Sequence, residues 1–426
     1  MKQDNSLFAN LLKPYCTKEE IETFEAHLTD RPVNGLIRNT YHESDWNRDD
    51  LRQDEEDSLL YRFDKESCPI GKSLFHFSGG CYILDPASAT ISYYMKDLLP
   101  KNFVSLDFCG APGGKTISLA FRREDGFYLC NDLSYQRANE TRKNFERLGL
   151  INAISLSMDP LAFDLGSCID CVILDVPCSG SGMIRKEEKM KEDWSEEKVK
   201  RLLPIQSSLL DKAYSLLKKG GVLAYSTCSL SIEEDECQIH DFLIRHPDME
   251  PIKVKERKGM IKGKDALGIH MIPGLYDGEG IYFCLLRKTG GKSFSLSPFV
   301  SKEKVIYEDT ISFVFKKNTY VISNMWKEFV SLHFLAPGLK VKDDSPHPKC
   351  EFDHALSKID SRYPKIALEE KEALSYASGN EVHTASKEKD GLCVLTYQGL
   401  VLGWGKKVGN RIKNYLPKGL RETLVF

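Results

Sequence analysis

Leu106–Thr116 reads LDFCGAPGGKT. An apolar run, Phe103–Asp107, closes on an aspartate; Gly110, Gly113 and Gly114 with Pro112 form a tight turn, and a helix is expected to begin near Thr116. Glycines let backbone N–H groups approach a ligand closely at the positive end of the helix. A phosphate loop fails on spacing, because Gly110 to Gly114 is one residue short of G-x-x-x-x-G-K-[ST], and G-x-G-x-x-G fails as well. Outward from this loop, Phe127–Asp132, Cys171–Asp175 and Val222–Ser226 each read as a buried strand ending at a polar residue. Ser134 can cap a helix running to Leu148 and stopped at Gly149. Strands alternating with helices imply βαβ units, a parallel sheet covered on both faces, and an α/β class. Ligands of such sheets sit at the carboxyl ends of the strands, where Asp107, Asp132 and Asp175 fall. Asp132 is placed to bind two ribose hydroxyls; its plainer reading is a helix cap. Ile269–Ile272 and Ile281–Leu286 are expected to close the sheet as an antiparallel hairpin around Gly278–Gly280.

Two cysteines lie just past strand ends: Cys178 in DVPCSGSG (Asp175–Gly182) and Cys228 in YSTCS (Tyr225–Ser229). If their strands are neighbours, both thiols share one cleft with Asp175. Most of the thirteen cysteines read as small buried apolar residues. Cys168 and Cys171 form a CxxC, but no second pair or paired histidines accompany it, so no metal is expected. Two thiols and a carboxylate suit one reaction well. Carbon 5 of cytosine is a poor nucleophile until a thiolate adds to carbon 6 and makes an enamine. An aspartate at the base edge stabilises that adduct.

The chain has 426 residues, 41% hydrophobic and 28% charged, with a net charge of −3. This length implies more than one domain. Without a membrane-length apolar run or a secretory start, a cytoplasmic protein is expected. Near the beginning, Lys18–Leu28 has a helical pattern behind Thr17, with Glu20 completing a capping box. Tyr41–Glu66 holds ten acidic residues against four basic and reads as a solvated surface. Thr289–Ser297 reads as a linker. Trp404–Arg421 carries six Lys/Arg and no acid, interleaved with Gly403, Gly405, Gly409, Trp404 and Tyr415. That pattern suits RNA, with phosphates on the cations, aromatics stacked on bases and glycines admitting the strand closely.

YILDPAS, LDFCGAPGGKT, DVPCSGSGMIRK, YSTCSLSIEEDE and GLYDGEGIYFCLL, in this order, resemble the RsmF/RsmB type of RNA 5-methylcytosine methyltransferases, the Sun/Fmu family. RPVNGLIRNT resembles the family's Arg-x-Asn element, and the tail resembles the RsmF-type C-terminal domain. The resemblance implies a class I S-adenosylmethionine-dependent methyltransferase (Rossmann-like) sheet over 76–288. It further implies a small N-terminal α+β domain of RNA-binding type over 1–75 and a C-terminal region over 298–426 ending in a PUA-like RNA-binding domain. S-adenosylmethionine is expected at Cys109, Gly110, Ala111, Pro112, Gly113, Gly114, Lys115, Asp132, Arg137, Asp159 and Asp175. Cys228 is implied as nucleophile, Cys178 as the cysteine assisting release, and Asp175 as the third catalytic group. The expected substrate is 16S ribosomal RNA, the alternatives being transfer RNA or a non-catalytic, RNA-binding role in ribosome assembly. No membrane partner is expected, and a monomer is.

Overall fold

The computed structural model describes residues 5–42, 50–185, 192–291, 310–315, 318–323, 334–336, 338–343, 352–359 and 362–424. Positions 292–297 of the expected linker and 43–49 of the acidic stretch lie outside these. The chain divides into two compact units, one of 1–35, 84–138 and 157–297, the other of 36–83, 139–156 and 298–426. The chain thus passes from one unit to the other within the expected N-terminal segment 1–75.

The first unit is built on a twisted sheet. Its strands run, in spatial order, Met260–Lys262, Ile269–Met271, Ile281–Lys288, Leu217–Thr227, Ile169–Asp175, Val104–Asp107 and Phe127–Asn131. The four strands at the Phe127–Asn131 end are parallel, with Asp107 opposite Ile173 and Asp175 opposite Ser226. Ile281–Lys288 returns antiparallel, Tyr282 facing Thr227, and Ile269–Met271 pairs with it in the expected hairpin. Val104–Asp107 comes first in the chain yet sits between the second and third parallel strands. The chain therefore leaves it in opposite directions on its two sides, and a crevice opens at the carboxyl ends. The central stretches of the parallel strands are apolar because helices cover both faces; Val172, Leu174, Leu223 and Ala224 are fully buried. The helix Tyr135–Leu148 begins after Ser134 and ends at Gly149, whose φ of 72° is cheap only for glycine.

The first helices, Asn5–Leu12 and Lys18–His27, belong to this unit. The second has the expected Thr17–Glu20 capping box. Phe8, Leu12, Phe24 and Leu28 pack on Ile184, Leu230 and Ile272, and the Tyr15 hydroxyl donates to Leu230 O at 2.9 Å. These helices thus buttress the turns that follow Cys178 and Cys228.

In the second unit, Arg52–Gln53, Leu60–Phe63, Asn34–Arg38 and Cys81–Leu84 form a small sheet. The acidic stretch is not wholly solvated. Asp54 accepts from the backbone N–H of Glu56 and Asp57 and pairs with Arg62, and Asp64 accepts from those of Glu66 and Ser67. Those carboxylates hold turns together. The C-terminal sheet joins Lys365–Ala367, Gly391–Tyr397, Leu400–Val408, Arg411–Asn414 and Val382–His383, and helix Glu370–Ala377 closes its core on Ile366, Leu395, Leu402 and Ile412.

This sheet corrects the reading of the tail. Trp404 is 1% exposed, its ring packed with Phe352 and Tyr363 and its Nε1 donating to Asp353 O at 2.8 Å, so it cannot stack on a base. Gly403 and Gly405 are backed by His354 and Ile412 of the same unit and not free for a ligand. Lys407 is buried and bonded to Asp390 at 3.2 Å. The two-residue period of the strands explains the split. Lys406 lies opposite Lys413, and Val408 opposite Arg411, on the exposed face, while Lys407 and Ile412 point inward.

Candidate active site

The glycine-rich turn follows Val104–Asp107, and its helix, Gly114–Ala120, starts two residues earlier than expected. Gly113 has φ 102°. A Cβ on Gly110 would lie 2.5 Å from both Asp107 Cγ and Cys130 Sγ, so no side chain fits there. Thr116 Oγ1 donates to Asp107 Oδ2 at 2.8 Å, while the buried Oδ1 has no hydrogen-bond partner. Burial pushes the Asp107 carboxyl up to about 7. Burial likewise pushes the Cys109 thiol up to about 12, which keeps it neutral.

Asp132 falls one residue past its strand. It caps the following turn by accepting from Ser134 N at 2.9 Å, and its other oxygen lies 3.1 Å from Arg137 Nη1. Both readings of Asp132, cap and ligand group, are therefore compatible with its position. Arg137 also donates to Ala111 O at 2.6 Å, tying the helix to the glycine turn. Asp159 caps the turn Pro160–Ala162 through Leu161 N.

The catalytic candidates converge. Ile169–Asp175 and Leu217–Thr227 are adjacent parallel strands, so the loops leaving their ends lie side by side. Cys178 Sγ is 2.9 Å from Cys228 Sγ, and the Cys228 N–H donates to Cys178 Sγ at 3.3 Å. Asp175 accepts from Ser226 Oγ at 2.7 Å and from Lys115 Nζ at 2.7 Å. Burial works against the Lys115 charge, yet the Asp175 carboxylate outweighs it and raises the lysine above its ordinary value. Contact with Cys228, then burial, pushes the Cys178 thiol well above the usual range. Cys109, Asp132, Arg137, Asp159, Asp175, Cys178 and Cys228 all line one cleft of about 810 Å³. Gly110, Ala111, Pro112, Gly113, Gly114 and Lys115 are not on its wall; Lys115 reaches it through Asp175. Cys168 and Cys171, the CxxC pair, are fully buried.

Three residues of this site escaped the sequence reading. Glu234 is fully buried; one oxygen accepts from Ser179 N at 2.8 Å and Gln206 Nε2 at 3.0 Å, the other from Ser229 Oγ at 2.7 Å. Gln206 also donates to Pro177 O at 3.0 Å, and Lys198 Nζ to Ser179 O at 3.0 Å. Glu234 thereby binds the residue after each cysteine. The available signal was the run Glu233–Glu236 beside a strand end, too acidic for a core unless its charges are bonded.

Residues 97–287 match the family described as 16S rRNA methyltransferase RsmB/F, and 363–422 the methyltransferase RsmF PUA domain. The chain belongs to the RsmB/F methyltransferase family. It is 28% identical over 399 residues to ribosomal RNA small subunit methyltransferase F of Vibrio vulnificus (strain YJ016), spanning 85% of this chain and 84% of that protein. Two solved structures share its fold. A methyltransferase homolog from Pyrococcus horikoshii has a TM-score of 0.56 at 24% identity, covering 67% of this chain and 96% of its own. NSun6 from Pyrococcus horikoshii with SFG has a TM-score of 0.52 at 20% identity, covering 67% and 97%.

The cofactor of this RsmB/F methyltransferase is S-adenosylmethionine. Its residues fit that ligand. S-adenosylmethionine carries an ammonium, a sulfonium and two ribose hydroxyls. The cleft offers Asp132 and Asp175 on its wall and, behind the turn, the unpartnered Asp107 Oδ1. Among the described residues no helix is long and apolar enough to cross a membrane.

Proposed function

We propose that this methyltransferase modifies carbon 5 of a cytosine in 16S ribosomal RNA through a covalent adduct with Cys228. The observation that carries the proposal is the pair of thiols in contact beside Asp175, in the cleft of the glycine-rich turn. One thiol would suffice for attack alone; a second in contact with it suits a reaction in which the first must also be released.

Cys228, as thiolate, adds to carbon 6, and the electron pair of the 5,6 double bond moves toward N3. The proton that Cys228 gives up reaches N3 by way of Asp175 and neutralises the electron pair arriving there, and the Asp175 carboxylate then accepts from N3–H and from the exocyclic amine. Lys115, held protonated by Asp175, fixes that carboxylate in place. When bound, S-adenosylmethionine supplies an electrophilic methyl group, and Asp132, Asp159, Arg137 and the turn Cys109–Lys115 hold it. The carbon 5 proton is then lost to a base, the 5,6 double bond re-forms as the Cys228 sulfur leaves, and N3 returns its proton to Asp175. Cys178, kept as a neutral thiol by its neighbour, assists that departure from contact distance. The exposed Lys406, Arg411 and Lys413 of the PUA domain supply cations for RNA phosphates.

Labelled S-adenosylmethionine with purified 16S ribosomal RNA and transfer RNA, followed by bisulfite mapping, tests this. Label at cytosine carbon 5 of 16S RNA is expected. Label on transfer RNA instead would move the substrate, and label on another atom would remove the mechanism. RNA binding without any transfer would leave an assembly role.

A further inference from the structure

Cys178 and Cys228 stand 2.9 Å apart, sulfur to sulfur, on loops leaving adjacent parallel strands. A disulfide needs a separation of about 2.05 Å, so an approach of less than about 1 Å joins them. Both are partly exposed and line the open cleft, which small solutes can enter. Cys109 is partly exposed in the same cleft, but burial pushes its thiol up to about 12 and no second sulfur among the described residues is in contact with it. Cys130, Cys168, Cys171 and Cys284 are buried, and a buried thiol in apolar surroundings is inert.

We propose that Cys178 and Cys228 are a modification site, closing into a reversible intramolecular disulfide on exposure to hydroperoxides. As thiolate, Cys228 attacks one peroxide oxygen; the O–O bond breaks, and the departing alkoxide or hydroxide takes up the proton Cys228 lost. Cys228 is left as a sulfenic acid. The Cys178 sulfur then attacks the Cys228 sulfur, the S–O bond breaks, and hydroxide leaves with the Cys178 proton as water. Two electrons have passed from the two thiols to the peroxide. A sulfenic acid with no thiol at hand is exposed to a second peroxide and to irreversible oxidation. Here the resolving thiol is already in contact, and an intramolecular step of that kind outruns a bimolecular one. Glu234, bonded to the residue after each cysteine, keeps the two loops together while the bond forms. In the disulfide neither sulfur can add to a base, while the turn Cys109–Lys115 and Asp132 are untouched. The site is thus switched off and protected at once.

The regulatory consequence rests on the proposed methyl transfer; the bond does not. The full chain, reduced and then titrated with hydrogen peroxide, is quenched by alkylation and examined by intact-mass and peptide mass spectrometry. Expected are a loss of two hydrogens and a linked pair of peptides holding Cys178 and Cys228. Methyl transfer should fall in proportion to the linked fraction and return with dithiothreitol. Cys178→Ser should lose the link and accumulate added oxygen on Cys228. Oxygen added to Cys228 of the unsubstituted chain without a link, or a link from Cys228 to Cys109, overturns the proposal. A Cys178–Cys228 link in a protein that transfers no methyl group upholds the site and removes the proposed activity instead.

Discussion

Replacing Glu234 by alanine removes an acceptor shared by Ser179 N, Gln206 Nε2 and Ser229 Oγ. The three donors do not suffer alike. Gln206 keeps its bond to Pro177 O, and Ser229 Oγ has the Ser179 and Ser181 hydroxyls at 3.3 Å as second choices. The Ser179 N–H has no such alternative in the structure, and a stranded buried donor costs about 1–3 kcal/mol. Weakened bonds at the other two add about 1 kcal/mol each, since bonds to a charged acceptor exceed neutral ones by roughly that much. Relief from burying a carboxylate offsets part of this. A net loss of about 2–4 kcal/mol follows. Because the stranded N–H follows Cys178 and the freed hydroxyl follows Cys228, the loss falls on the geometry between the two sulfurs. Urea unfolding, S-adenosylmethionine affinity and single-turnover methyl transfer are measured on Glu234→Ala and Glu234→Gln. The alanine variant is expected to unfold earlier and transfer slowly with cofactor affinity retained. Glutamine, which keeps one acceptor oxygen, should recover most of the stability. Wild-type turnover in an alanine variant of wild-type stability would refute the view that Glu234 sets the two loops.

Cys228→Ala should abolish transfer while cofactor still binds, and Asp175→Ala should slow it by about 100–1,000-fold, the usual worth of such a stabilising group. Cys178→Ala should attack RNA and then stall as an RNase-sensitive adduct on a denaturing gel; the same band from Cys228→Ala would reverse the two roles. Neutralising the exposed Lys406, Arg411 and Lys413 should lower the slope of log affinity against log salt by ~0.7–0.9 per lost phosphate contact, whereas an unchanged salt titration would make that face structural. In the second unit, Lys358 is buried with its Nζ donating to Ser78 O and Val401 O, and burial lowers it from 10.5 to about 7. Its charged form is disfavoured in the folded state, so the penalty is full below about 7 and vanishes as pH rises toward 10.5. Urea titrations of wild type and Lys358→Met across that window should show a wild-type gain in stability with pH that the variant lacks. Parallel pH dependences would refute the burial of an uncompensated charge.

The sequence by itself determined whatever depends on neighbours along the chain. The strand–turn–helix at Leu106–Thr116, the capping box at Thr17 and the stop at Gly149 rest on backbone conformations that few residue types accept, so local spelling declares them. The same holds for the apolar strands, because a sheet covered on both faces demands unbroken hydrophobic runs. The placement of Asp175, Cys178 and Cys228 after strand ends was equally legible, since ligands of parallel sheets gather there. Only tertiary structure decided what depends on partners distant in sequence. Glu234 reads as one more surface acid until Ser179 and Gln206, 55 and 28 positions away, bring their donors to it. Trp404 and Lys407 read as an RNA face, yet the cross-strand register turns both toward the core and leaves Lys406, Arg411 and Lys413 outside. Composition records which charges and rings a segment owns, whereas pleat and pairing decide which of them meet solvent. That the Cys178 and Cys228 thiols touch is the sharpest case. Each loop places its own sulfur, but the hydrogen-bonded register of Ile169–Asp175 against Leu217–Thr227 sets the distance between them.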